Sequence, residues 1–147
     1  MADILQAAGL KSTKARRVVL ETLNRIDRPL SHQEIASNPE IRTLDRVTLY
    51  RTLASLQRVG LVHRVQGIDG VWRFRGHRVQ SGECAGNHIH FFCLDCSRMS
   101  CLPEQPLPWI KEPKGAEIIG KQLVVYGRCA ECKKRKQESL ISMDNEN

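Results

Sequence analysis

Two cysteine pairs in the C-terminal half have the residue types and the spacing of a metal site. Cys93 and Cys96 form one CxxC pair, and Cys129 and Cys132 form the other. A two-residue spacer brings both sulfurs to one side of a tight turn, so two pairs can supply four thiolates to a tetrahedral zinc ion. Such a shell has no open position and stabilises structure instead of catalysing a reaction. Disulfides or a redox CxxC are the alternative, which the absence of a βαβ pattern around either pair disfavours.

Four further side chains form a second candidate metal set, Cys84, His88, His90 and Cys101. His88 and His90 stand two apart in a β-rich stretch, so in a strand they share one face while Cys93 has the other. Cys84 precedes them in a Gly-containing loop that could fold back to the same point. A mixed cysteine and histidine shell suits zinc better than iron(II), which prefers harder oxygen and nitrogen donors. The alternative is that both cysteines are ordinary buried thiols and both histidines are surface residues.

The elements that must position these ligands belong to a chain with an uneven charge. The net charge is +7; residues 1–80 hold 14 Lys and Arg against 7 Asp and Glu, whereas residues 81–147 hold 9 of each. All six cysteines lie in the second part. This division predicts a basic domain at 1–80, a hinge at 81–87, a metal-binding dimerisation domain at 88–136 and a disordered tail at 137–147.

The basic domain has the pattern of a winged helix-turn-helix. One helix should begin after Thr13, a second after Ser31, whose spacing to Glu34 is that of a capping box, and a third after Asp45. Alternating residues on both sides of a Gly-containing turn at 67–70 then predict a hairpin, the wing. Two short helices, a third with a basic and aromatic outer face, and a wing are typical of a DNA-binding domain.

Five side chains of this domain are predicted to contact DNA. Lys14, Arg16 and Arg51, together with the arginines of the wing, would neutralise phosphates and supply salt-dependent affinity. Arg46 and Tyr50 lie four apart on the third helix and share a face, from which a guanidinium can reach guanine and a ring can reach a thymine methyl group. A ring half-buried on its own helix is the alternative for Tyr50.

The C-terminal half is expected to be mostly extended. Four prolines between residues 103 and 113 exclude a long helix there. Branched residues at 118–126 predict a strand suited to pairing across a dimer. The basic run at 133–136 is expected to be a solvated start to the terminal segment. The whole chain is thus predicted to be α+β, with an N-terminal winged helix-turn-helix followed by a small α/β dimerisation domain with a four-cysteine zinc site.

The sequence also disfavours several classes of protein. No apolar run reaches the roughly 18–20 residues of a membrane span, and the N-terminal residues lack the regions of a secretory signal. Six cysteines without an export signal indicate the reducing cytoplasm, where metal binding is more common than disulfides. A zinc hydrolase using His88, His90 and Cys84 would need a general base, and Glu83 lacks an HExxH-like geometry. A zinc-ribbon interaction module that does not bind DNA is a further alternative.

The order of winged helix, HxH, CxxC, strand and CxxC resembles the ferric uptake regulator family of metal-dependent repressors. The resemblance covers about residues 9–133 and is carried by residues 10–16, 47–53, 88–96 and 126–132. It implies a homodimer joined through the C-terminal lobes, a structural zinc at the paired CxxC and a second, sensory metal at the hinge. In that family the tyrosine and arginine that match Tyr50 and Arg51 contact DNA, and a lysine that matches Lys14 or Lys11 can enter the minor groove.

Differences from the family pattern favour its zinc uptake regulator branch. The position five residues beyond the first CxxC pair is commonly glutamate in iron sensors, and here it is Cys101. Zinc uptake regulators use a cysteine before the HxH, which Cys84 resembles. The family histidine of the second helix has no aligned match, although His32 stands two or three residues away. Asp69 near the wing and His77 are further candidate ligands, and a plain turn role is the alternative for Asp69.

The resemblance and the residues together predict a zinc-responsive, DNA-binding transcriptional repressor that controls metal-uptake genes. An iron- or peroxide-sensing repressor of the same family is the alternative, and oxidation of Cys84 or Cys101 could also make a thiol switch. The predicted cofactors are one structural and one regulatory zinc per chain. The predicted partners are double-stranded operator DNA and a second copy of the chain.

Overall fold

The computed structural model describes residues 2–77 and 87–144. None of the helices in these two ranges is long and apolar enough to cross a membrane. In chain order, the helices and strands are α1 (Ala2–Ala7), α2 (Lys14–Arg25), β1 (Leu30–Ser31), α3 (His32–Ala36), α4 (Arg46–Arg58), β2 (Val62–Gln66), β3 (Trp72–Gly76), β4 (His88–Cys93), β5 (Met99–Pro106), β6 (Leu123–Gly127) and α5 (Ala130–Asp144).

The helices α2, α3 and α4 begin where their capping residues predict. Thr13 accepts a hydrogen bond from the backbone N–H three residues later at 3.3 Å. Ser31 and Glu34 form both bonds of a capping box at the start of α3. Asp45 caps α4 by accepting from the backbone N–H three residues later at 2.9 Å. These bonds satisfy donors that a helix N-terminus leaves without intrahelical partners, which is why the caps mark the boundaries so well.

The core of the first lobe lies between α2 and α4. Leu49, Leu53 and Leu56 of α4 are buried in it, as their helical spacing predicts. The helix α1 was not predicted, and it adds the fully buried Leu5 to the same core. A helix of six residues is too short for its periodicity to be distinctive or for its propensity to stabilise it alone, so tertiary packing decides it.

The predicted wing is the hairpin of β2 and β3. These strands pair antiparallel from Val62 opposite Gly76 to Gln66 opposite Trp72. The short β1 pairs with β3 and completes a sheet of order β1-β3-β2. The helices and this sheet form the winged helix-turn-helix that the sequence predicts.

The second lobe is built on a sheet of order β5-β4-β6. The central β4 is antiparallel to β5, with His90 opposite Cys101, and parallel to β6. His88 and His90 are both buried, in agreement with a shared face. Residues 107–122 contain no helix or strand. The absence of a long helix agrees with the prolines, but the strand expected at 118–126 begins only at residue 123, as β6.

The helix α5 corrects the expectation of a disordered tail. Disorder was predicted from residue 137, but α5 continues to Asp144. The basic run at 133–136 lies exposed on this helix. Its Lys, Arg, Gln and Glu residues have high helix propensity but form no apolar stripe, so periodicity alone fails to detect the helix.

The wing joins the two lobes. Val65 of β2 packs with Phe92 and Met99 of the second lobe in a small apolar cluster. The backbone N–H of Gln66 donates to Gln122 Oε1 at 3.2 Å, and its carbonyl accepts from Gln122 Nε2 at 3.5 Å. Most of the predicted hinge at 81–87 lies outside the described residues.

Candidate metal centres and nucleic-acid interface

The four cysteines of the two CxxC pairs form one cluster. Their sulfur atoms all lie within 4.8 Å of one another, and Cys96 Sγ is 3.9 Å from Cys129 Sγ. Cys93 ends β4 and Cys129 follows β6, so the parallel pairing of these strands brings the two CxxC turns side by side. Cys93, Cys96, Cys129 and Cys132 are all free thiols. The sequence prediction of a four-cysteine site is confirmed at the level of the ligand cluster.

The environment of these thiols favours a bound cation. Burial raises the pKa of Cys93, but backbone N–H groups led by that of Cys129, at 3.3 Å, outweigh it and lower the pKa to about 6. Burial and the neighbouring thiols Cys129 and Cys96 raise the pKa of Cys132 to about 12. Cys93 thus ionises readily and Cys132 resists ionisation, because adjacent negative charges repel unless a cation balances them.

A second cluster joins the wing to the second lobe. It contains His63 of β2, His88 and His90 of β4, and Cys101 of β5, with one ligand atom from each lying within 4.8 Å of the others. The ring centroids of His88 and His90 are 4.5 Å apart, and that of His63 lies 5.8 and 5.7 Å from them. Three elements from two lobes therefore converge on one point.

The donors of this second cluster suit a metal ion. Both ring nitrogens of His90 are buried and have no hydrogen-bond partner among the described residues, an arrangement that is costly unless a ligand satisfies them. Burial lowers the pKa of His88, although its hydrogen bond with Cys101 opposes the shift, so the imidazole is held in the neutral form that binds metals. Within the described chain, the cluster contains no carboxylate.

His63 is a candidate ligand that was not predicted from the sequence. It stands 25 residues before His88, in a different lobe, and no motif spacing connects the two. The only local signal was its alternation with Val62 in β2, which leaves a histidine on one face of the wing. The packing of the wing against the second lobe, and not the sequence, brings His63 into the cluster.

The other predicted sensory ligands have different outcomes. Cys84 lies outside the described residues. His32 stacks on Tyr50 and is not part of either cluster. Asp69 is engaged by Arg73, whose hydrogen bond holds the pKa of the Asp69 carboxyl below its usual range.

His77 also lies outside both clusters, although it lines a cleft beside His63 and His90. His32, Asp69 and His77 thus lie outside the two clusters of the described structure, and their roles as ligands stay predictions. His32 and Asp69 were proposed from positions in the family pattern, whereas the packing of the wing against the second lobe determines which donors of the described chain meet.

The outer face of α4 is the candidate nucleic-acid interface. Arg46, Tyr50 and Arg51 are exposed on it, as predicted, and Val47 adds a missed apolar side chain that is 57% exposed. Apolar groups at this position can meet thymine methyl groups. Lys14 is exposed at the start of α2. The face thus offers both cations for phosphates and apolar surface for base edges.

Arg16 is only partly available to DNA. Its Nε donates to Ser55 Oγ of α4 at 3.2 Å, and its Nη1 donates to the carbonyl of Lys11 at 2.9 Å. These bonds tie the first turn of α2 to the buried side of α4. Arg16 therefore helps to hold α4 in position against α2.

The wing arginines depart from the prediction that all of them neutralise phosphates. Arg73 and Arg75 are buried and paired with Asp69 and Asp27. Arg64 alone of the three arginines on β2 and β3 is exposed, with its guanidinium carbon 4.3 Å from the centroid of the Trp72 ring. Alternation in a strand directs some cations inward, where buried charge requires a partner.

Arg73 links the wing turn to the first CxxC turn. Its side chain is 4% exposed, and it donates to both carboxylate oxygens of Asp69 at 2.9 and 2.7 Å and to the carbonyl of Ser97 at 3.1 Å. Its guanidinium carbon lies 4.9 Å from the centroid of the Phe92 ring. A Cβ at Gly67 would lie 2.5 Å from Arg73 Nη1 and 2.5 Å from Asp69 Oδ1, so a larger residue there would displace this ion pair.

Comparisons with known proteins agree with this architecture. Residues 7–124 match the model of the Ferric uptake regulator family. The chain is 27% identical over 148 residues to the Ferric uptake regulation protein of Campylobacter jejuni, with 94% of this chain and 89% of that protein covered.

Two solved structures show the same fold. The Vibrio cholerae ferric uptake regulator has a TM-score of 0.60 at 22% identity, covering 87% of this chain and 98% of that chain. A zinc-bound manganese uptake regulator has a TM-score of 0.60 at 17% identity, covering 86% of this chain and 96% of that chain.

Proposed function

Because the chain belongs to the ferric uptake regulator family, whose members are metal-dependent DNA-binding regulators of transcription and not enzymes, we propose that it is a zinc-responsive repressor of metal-uptake genes. It would act in the cytoplasm as a homodimer, with one structural and one regulatory zinc per chain. The observation that carries the proposal is the cluster of His63, His88, His90 and Cys101 between the two lobes.

The composition of this cluster supports zinc as the sensed metal. Three imidazoles and one thiolate form a borderline-soft set of four donors, which zinc accepts in a tetrahedral shell. Iron(II) sites favour oxygen donors, and the described cluster has none. Four protein ligands also leave no open position for a substrate or an attacking water, which suits a sensor better than a hydrolase.

The ligands would couple metal binding to the position of the wing. His63 belongs to β2, whereas His88, His90 and Cys101 belong to the sheet of the second lobe. A zinc bound here would supply a cross-link between the lobes. His63 would then hold the wing, and with it α4, at a constant angle to the dimerisation lobe. Metal binding would thereby strengthen DNA binding, and DNA binding would strengthen metal binding by the same free energy.

Exposed apolar side chains on the second lobe support the homodimer. Leu123, Val125 and Tyr126 of β6 are 42, 40 and 63% exposed. Contiguous exposed apolar surface is unusual on a monomer and marks an interaction site. Pairing of two such lobes would present two winged helices to successive major grooves.

Cys84 retains a proposed role in the same site. It precedes His88 by four residues and His90 by six, and it could supply a further thiolate. Two thiolates with two imidazoles would also be a zinc-compatible set. Comparison of the Cys84→Ser and Cys101→Ser variants by zinc titration identifies which sulfur binds.

The function is tested by measuring operator binding with and without zinc. We expect zinc to strengthen binding by about 5- to 150-fold, the usual range of allosteric coupling. His63→Ala should abolish that response, whereas His77→Ala, a matched change near the same cleft but outside the cluster, should keep it. A zinc response that survives in His63→Ala would contradict the proposed site.

Metal analysis of the purified protein tests the choice of metal. Two zinc ions per chain are expected, and one should be lost in His63→Ala. One zinc plus one iron per chain would instead support the iron- or peroxide-sensing alternative.

A further inference from the structure

His32 and Tyr50 form an aromatic stack across the helix-turn-helix. Their ring centroids are 3.8 Å apart and the ring planes meet at 19°. His32 is the first residue of α3, and Tyr50 lies in the second turn of α4. The stack therefore connects the two helices of the DNA-binding motif at its outer surface.

Both backbones that carry the stack are held firmly. The capping box of Ser31 and Glu34 orients the first turn of α3. On α4, Leu49 and Leu53 on either side of Tyr50 are 1% exposed and anchor that turn in the core. The positions of both Cα atoms are therefore determined, and the only freedom left to Tyr50 is that of its side-chain torsions.

The Tyr50 ring needs a support to adopt one orientation. It is 48% exposed on the face where Arg46 and Val47 also project, and the guanidinium carbon of Arg46 lies 5.8 Å from its centroid. A half-exposed ring samples several rotamers, and ordering it on binding costs about 0.5–1.5 kcal/mol. A ring stacked on one side loses that freedom before DNA arrives.

Within the described residues, no hydrogen bond at the buried end of His32 accounts for the placement of its ring. Its Nε2 is buried and has no hydrogen-bond partner among the described residues. Burial, with a smaller effect of the Arg46 charge, lowers the pKa of His32, so the ring that faces Tyr50 is the neutral imidazole. The stack with Tyr50 is thus the directional contact of this side chain.

We propose that His32 is a positioning residue for base recognition, which holds the Tyr50 ring in the orientation that meets a thymine methyl group. It acts through Tyr50 and touches no base itself. The inference rests on the proposed role of the α4 face in reading base edges. Its consequence is that His32 affects discrimination between sequences and leaves phosphate-driven, non-specific affinity unchanged.

The test compares variants on chemically matched duplexes. A preferred duplex is first selected from a random library with the zinc-loaded wild-type protein. Dissociation constants are then measured for that duplex, for its copy with uracil in place of thymine, and for a random duplex. The proteins are wild type, His32→Ala, His32→Phe and, as a control, Gln33→Ala at the next, exposed position.

His32→Ala should weaken binding to the thymine duplex about threefold to tenfold, the worth of an aromatic pair. It should have no effect on the random duplex. The wild type should bind the uracil duplex more weakly than the thymine duplex. His32→Ala should bind the uracil duplex as well as the wild type does, because the loss of the thymine methyl group and the loss of the His32 ring remove the same contact. His32→Phe keeps a flat ring and should remain within about twofold of wild type.

Three outcomes overturn the proposal and a fourth concerns the function on which it rests. Equal binding of wild type and His32→Ala to the thymine duplex contradicts the role of His32. So does a loss of the same size on all three duplexes, or a failure of His32→Phe to restore binding, since each indicates a general structural defect. A wild-type protein that selects no preferred sequence would contradict base reading by α4 itself.

Discussion

The two ligand clusters of this protein differ in how far apart their residues lie. The four-cysteine cluster is built from two local turns at the ends of neighbouring strands, all within the second lobe. The mixed cluster takes His63 from the wing and its other ligands from the second lobe. A metal bound within one lobe stabilises that lobe, whereas a metal bound between the lobes can change the angle between them. Position in the fold thus distinguishes a structural site from a candidate sensory one.

The largest effect is expected from removing a ligand of the four-cysteine cluster. Cys96→Ser should remove the cooperative thermal transition of the second lobe, because structural zinc contributes on the order of 10 kcal/mol to folding. Circular dichroism on heating and sedimentation of the oligomer measure this.

The matched control for that experiment is Cys101→Ser in the mixed cluster. It should keep the fold and the oligomer while changing the zinc response. If Cys101→Ser unfolds the lobe as completely as Cys96→Ser, the division into structural and sensory clusters is wrong.

An intermediate effect is expected from Arg73, which connects the wing to the four-cysteine cluster. Arg73→Ala should lower the free energy of unfolding by about 2–4 kcal/mol, because it leaves the carbonyl of Ser97 and the partly buried Asp69 without their cation. Urea unfolding measures the loss.

Arg25→Ala is the control, since the ion pair of Arg25 with Glu40 is exposed on both sides and should contribute less than about 1 kcal/mol. Zinc content should stay unchanged in both variants. An equal loss of stability in Arg73→Ala and Arg25→Ala would show that the contact of Arg73 between the wing and the second lobe contributes no more stability than an exposed ion pair.

The smallest effect is the pH dependence of the metal-free protein. Burial lowers the pKa of His88 below its ordinary value of 6.5, so the unfolded chain binds protons more readily than the folded one. The stability from this group is fully present above pH 6.5 and declines as the pH falls from 6.5 toward the lower pKa of the folded state.

Urea unfolding of zinc-free protein between pH 7.5 and 5 measures this decline, and His88→Gln should show a smaller one. A decline of the same size in both proteins would mean that His88 does not carry the effect.

Local features of the fold could be predicted well. The caps at Thr13, Ser31 and Asp45 and the Gly-containing wing turn depend on interactions within a few residues, which sequence spacing expresses directly. Leu5 in the short α1 was missed because its burial depends on helices far along the chain. The helix α5 was missed because its sequence forms no apolar stripe at helical spacing.

Site residues that lie close together in the sequence were predicted better than those that lie far apart. Both CxxC pairs and the HxH show their ligands through spacing alone. His32, by contrast, was proposed from its nearness to a histidine position of the family pattern, and it lies outside both clusters, as does His77. The inward direction of Arg73 and Arg75 likewise depends on which face of the wing meets carboxylates.

The sequence by itself determined the winged helix-turn-helix, the four-cysteine site and the exposed basic face of α4, because each follows from short-range periodicity, caps or ligand spacing. Only the tertiary structure decided that His63 completes the second cluster and that Arg73 connects the wing to the cysteine turns. Those contacts join residues at least 24 positions apart. Their formation depends on the packing of Val65 against Phe92 and on the pairing of β4 with β5. Neither contact produces a periodic pattern in the sequence.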